Sequence, residues 1–118
     1  MVSSITIVLT KSPYGDVDTI EGLRVASSLV AFGIETTVVF MDDAVLSLTK
    51  THRPEGVGML SIHGAIRALT GARILVHTPS LDERSLSRED LIEGVPFELI
   101  NDDDLVEMIA KADITFTM

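Results

Sequence analysis

The segment ILVHTPSLDERSL, residues 74–86, decides how this chain is read. Ile74, Leu75 and Val76 form an apolar run that stops on His77, Thr78 and Pro79, where a polar stretch begins. A short apolar run that ends so abruptly reads as a buried strand delivering one titratable side chain to the rim of a sheet. The same kind of segment recurs on both sides. ARILVH (72–77) is joined by SITIVLT (4–10), IETTVVFM (34–41), FELI (97–100) and DITFT (113–117), which predicts five strands.

Helical patterns fill the intervals. DTIEGLRVASSLVAFG opens with Asp18 and Glu21 at capping-box spacing and closes on Gly33, a residue suited to the left-handed turn that ends a helix. VGMLSIHGAIRALTG (57–71) also stops at a glycine, and NDDDLVEMIAKA starts on Asn101 as an N-cap with acids in its first turn. Alternating strands and helices with short connections predict an α/β fold, a mainly parallel five-stranded sheet with helices on both faces. At 118 residues there is room for one hydrophobic core and not for two, so a single domain over 1–118 is expected.

Composition narrows the function. The chain is 46% hydrophobic yet holds no run of the length a membrane span needs, and its first residues, MVSSITIVLT, lack the basic start of a signal peptide. A soluble, cytoplasmic protein without membrane association is the expectation. The net charge is −9, and the nine basic residues are scattered singly, with only five aromatics, so neither a phosphate-tracking stripe nor a stacking surface for nucleic acid is predicted. There is no cysteine, which removes disulfides, thiolate metal sites and cysteine nucleophiles together. His52, His63 and His77 show no metal-ligand spacing, and no metal or cofactor is expected.

The predicted second helix is apolar nearly all round, with Arg67 its only charge. Such a helix wants burial on more than one side, and a partner chain would supply it. Met59, Leu60, Ile62 and Ile66 are the residues expected at that interface.

Ligands of open α/β sheets bind at the carboxyl ends of the strands, and three such ends here are polar: TKSPYGD, MDDAV and HTPS. The first holds one glycine where a phosphate loop needs several, and Asp16, Asp18 and Glu21 would repel an anion at the following helix. In the second, one of Asp42 and Asp43 is expected to cap a helix; Asp43 is also a candidate to orient His77 as a base. Ser80 is the nearest nucleophile to that pair, without the glycine-flanked elbow of a hydrolase. Tyr14, Asp43, His77, Ser80 and Arg84 are thus the candidates to line a strand-end pocket, with His77 and Asp43 the candidates for catalysis.

These motifs, in their order, resemble the DsrE/DsrF-like sulfur-relay family, and its TusC/DsrF branch most closely. SPYG with EGL (12–15 and 21–23) is similar to the family's P-x-G then E-G-L, and FMDDAV to its strand-then-D-G-V junction, with Ala44 in place of glycine. LVHTPSLDERSL resembles the branch's strand, cysteine and S-L-x-x-R-G-L, where Ser80, Leu81, Arg84 and Leu86 match and Ser85 replaces the glycine. ADITFTM is similar to its closing strand.

The resemblance implies that His77 stands where the family's strand-end cysteine would accept a persulfide. An imidazole has no sulfur to form one, so this polypeptide cannot carry persulfide itself. It further implies an oligomer, either of this chain alone or with DsrE/TusD-like and DsrH/TusB-like subunits. Two functions stay open: a non-catalytic structural or regulatory subunit of a DsrEFH/TusBCD-like complex serving tRNA thiolation or sulfur metabolism, or a small-molecule-binding protein or enzyme using His77 with Asp43.

Overall fold

The computed structural model describes residues 3–13, 17–50 and 59–118, with the backbone alone for 59–61. The five predicted strands are all present: β1 (Ser4–Leu9), β2 (Glu35–Phe40), β3 (Arg73–His77), β4 (Phe97–Ile100) and β5 (Ile114–Thr117). They form one sheet in the order β4-β3-β2-β1-β5, and every pairing is parallel.

Handedness then distributes the helices. β1 to β4 step in one direction across the sheet, and right-handed crossovers place the connecting helices on one face; the return from β4 to β5 places its helix on the other. α1 (Asp18–Ala31) and α2 (Met59–Arg67) pack with a 3-10 helix (Asp42–Leu48) and α3 (Thr78–Glu83) on the first face. Their core joins Leu23, Leu48, Ile62 and Ile66 to Ile7, Phe40 and Val76 of the strands. Among the described residues α4 (Asp102–Lys111) is the one helix on the second, where Leu105 and Met108 meet Val8, Val39 and Leu75. This alternation of side chains between two cores is why the strands are apolar at consecutive positions.

Several expectations need correction. Ile62 and Ile66 do not face a partner: they are 5% and 1% exposed within this chain's own core. The sheet and α1 take up the apolar side of α2, so its lack of charge has an internal cause. The side chains of Met59 and Leu60 lie outside the described residues. α2 is shorter than predicted, because after Arg67 the hydrogen bonds tighten, Leu69 N–H donating to Ile66 at 3.1 Å, before Gly71 turns at φ 98°. Val17, and not Asp18, is the N-cap of α1, and Asp18 is its first helical residue. Gly33 at φ 79° and Asn101, whose side chain accepts from the Asp104 N–H at 2.8 Å, terminate and cap as predicted.

Candidate functional site

The sheet's carboxyl edge brings four segments together. β3 ends on His77, and Pro79 in the first turn of α3 suits a helix that starts at once. α3 stands where the sequence showed only a polar stretch. Its first turn places Ser80, three residues on from His77, back beside the ring, with His77 Nδ1 and Ser80 Oγ 2.6 Å apart.

The second ring nitrogen finds a different carboxylate from the one expected. His77 Nε2 lies 2.6 Å from Asp102 Oδ1, whereas Asp43 is bound by Arg84 at 2.8 Å. Register explains the exchange. β4 pairs with β3 so that His77 lies opposite Ile100, and α4 begins two residues later, so its first-turn acid reaches the imidazole. The clue was in the sequence: consecutive strands are commonly neighbours, and NDDD directly follows FELI. Reading those acids only as favourable helix-start charges hid it.

Proton positions follow from elimination. An ionised carboxylate can only accept, so in neutral His77 the Nε2–H donates to Asp102 and Nδ1 accepts from the Ser80 hydroxyl. Ser80 Oγ in turn accepts from the backbone N–H of Asp42 at 2.8 Å. That chain of bonds ties β2's exit, α3 and the start of α4 to one buried ring: His77 is 7% exposed and Ser80 2%. Asp102 is the solvent-facing end, its side chain 74% exposed.

Arg84 closes the other side. Its Nε and Nη2 donate to Asp43 Oδ1 at 3.2 and 2.8 Å, and Nη1 donates to the Ser80 carbonyl at 3.0 Å. Neither Asp42 nor Asp43 caps the 3-10 helix, whose N-cap is Met41; Asp42 instead takes a left-handed backbone with φ 50°. Of the candidates, Asp43, His77, Ser80 and Arg84 are therefore gathered in one network, and Tyr14 lies outside the described residues. Among the described residues no group of three His, Asp or Glu side chains could hold a metal ion, and no helix is long and apolar enough to cross a membrane.

Chemically the triplet has the order of a hydrolase relay, a hydroxyl, an imidazole and a carboxylate. What it lacks is access. The hydroxyl is buried and already bonded on two sides, and the groove of about 590 Å³ elsewhere on the sheet is lined by none of the three.

Known proteins agree on the architecture. The ychN protein from E. coli superposes with a TM-score of 0.80 over 98% of this chain and 99% of its own, at 24% identity. A protein of unknown function from Methanobacterium thermoautotrophicum does so at 0.62 and 15% identity, over 98% of each chain. In sequence, the intracellular sulfur oxidation protein DsrF of Allochromatium vinosum is 34% identical over 92% of this chain and 84% of its own. An uncharacterized protein of Methanocaldococcus jannaschii is 30% identical over 95% of this chain and 96% of its own. The sequence model of the DsrE/DsrF-like family matches residues 3–118. With that match spanning every strand from β1 to β5, and a DsrF protein among its relatives, this chain belongs to the DsrE/DsrF-like family.

Proposed function

We propose that this chain is a non-catalytic subunit, structural or regulatory, of a cytoplasmic sulfur-relay complex built with DsrE/TusD-like and DsrH/TusB-like partners. Sulfur oxidation is the process in the DsrF relative's name, and tRNA thiolation is the other process such a complex could serve. The observation that carries the reading is His77: at the strand end it is buried, bonded on both ring nitrogens, and unable to form a persulfide. A residue so engaged keeps three segments in register and leaves the sulfur to a partner's cysteine.

Purification of the tagged chain from its own host, with mass spectrometry of what accompanies it, tests the assembly. Recovery with DsrE- or DsrH-like chains is expected; a monomer of 12.8 kDa by light scattering, with no such companions, would overturn it. His77→Cys tests the inherited position. After incubation with a persulfide donor, a gain of one sulfur would show that the strand end is still reachable.

The relay-like geometry of Ser80, His77 and Asp102 favours one second reading, a serine hydrolase of small molecules. A fluorophosphonate probe separates the two. Labelling of Ser80 that is lost in His77→Ala would support the hydrolase and sink the subunit reading, whereas the buried, doubly bonded hydroxyl predicts none.

A further inference from the structure

On the face carrying α4, running from the amino ends of the strands at Ser4, Glu35 and Arg73 toward Ile100, lies the groove of about 590 Å³. Its origin is topological. Five strands roughly 4.8 Å apart make a face wider than one helix of about 10 Å can cover, and α4 is the only helix there among the described residues. Thr6 of β1 and Thr37 of β2, opposite each other in register, line its floor. They are 2% and 7% exposed, yet neither hydroxyl has a hydrogen-bond partner among the described residues. Both hydroxyls open onto the groove, where they are free to bond whatever fills it.

The walls say what kind of group that is. Carboxylates outnumber cations on the lining, with Glu35, Glu98, Asp104 and Glu107 against Arg73 and Lys111. Both cations are engaged: Arg73 reaches Glu98 through two bonds of 2.6 and 3.1 Å, and Lys111 lies 2.6 Å from Glu107. Glu35 and Asp104 remain as surplus negative charge, Asp104 accepting one long bond of 3.3 Å from the Asn101 N–H. An anion would find no uncommitted cation on this lining, and a flat aromatic ligand no aromatic side chain. Leu75, Leu99 and Met108 supply apolar wall between the charged ends.

We propose that this groove binds a linear aliphatic diamine or polyamine. Its ammonium groups donate to the threonine hydroxyls and the surplus carboxylates, and its methylene chain lies along the leucine and methionine side chains. This site is independent of the subunit reading above, because His77, Ser80 and Arg84 take no part in it.

The test is titration of the whole protein with putrescine and spermidine, followed by amide NMR shifts and calorimetry at about 0.15 M salt, where diffuse surface attraction is screened. Saturable binding is expected, with shifts centred on Thr6, Thr37 and Lys111. Thr6→Val with Thr37→Val should weaken it about tenfold or more, through the lost bonds to charged groups. Thr37→Val alone, with its spectrum as the folding check, serves if the pair does not fold. Glu35→Gln should weaken binding several-fold, while Glu93→Gln, which removes the same charge away from the groove, should leave it unchanged. Three results would overturn the proposal: no saturable binding, equal loss in Glu93→Gln and Glu35→Gln, or a groove that takes a lysine-rich peptide and refuses both amines.

Discussion

His77 is a buried ring held through both of its nitrogens. Its removal strips a buried cavity of its occupant and leaves the Ser80 hydroxyl without its acceptor, so His77→Ala should lower the unfolding free energy by about 2–3 kcal/mol in urea denaturation. Asp102→Asn should cost less than about 1 kcal/mol, because that side chain is mostly in water and an amide oxygen can still accept from Nε2–H. Ser85 carries a second residue-scale consequence. Its φ of 55° is the left-handed region, and it stands where the branch's motif has glycine, so Ser85→Gly should raise stability by about 0.5–1 kcal/mol. The members of the site were largely legible in the sequence: His77, Ser80, Arg84 and Asp43 do meet at one edge. Their pairing was not, since which carboxylate reaches a ring depends on strand register, and Asp43 and Asp102 look alike until β4 is laid beside β3.

At the scale of elements, all five strands were readable because β-branched runs bounded by turn residues have few other uses. α3 was missed because six residues cannot show a helical period, and Pro79 reads equally as a turn. The misread face of α2 has another cause: periodicity shows which side of a helix is apolar and says nothing of whether the cover comes from its own chain. How closely α1 sits on β1 is testable at two glycines. A Cβ on Gly22 would collide with Leu9 Cδ2, and Leu9 is fully buried. Overpacking should then exceed the gain of about 1 kcal/mol in helix propensity, so Gly22→Ala is expected to destabilise by about 1 kcal/mol or more. Gly64 in α2 has nothing within 4 Å, and Gly64→Ala should stabilise by up to about 1 kcal/mol. Opposite signs in paired urea titrations would locate the close approach at α1.

For the whole molecule, acid acts on the seams of the sheet. The Arg73 hydrogen bond holds Glu98 below its ordinary range across the β3–β4 pair, and the Ser3 backbone N–H does the same for Asp113 between β1 and β5. A carboxyl held low in the folded state binds protons more readily in the unfolded chain. Its contribution is therefore complete above the unfolded value and lost as pH falls through the folded one. The thermal midpoint should stay level from neutrality to about pH 5 and decline only below the ordinary glutamate and aspartate values of 4.5 and 3.8, with a small amplitude because both groups are exposed. Asp113→Asn should remove the lowest-pH part of that decline. The β1–β5 seam also sets an order of events. Of the five strands of this sheet β1 is made before the others, yet its neighbour β5 is made after them, with Met118 N–H donating to the Val8 carbonyl at 2.8 Å. At roughly 5–20 residues per second, that edge of β1 waits on the order of 5–20 s with its peptide groups unpaired, an open template for another nascent strand until residues 114–118 arrive to cover it.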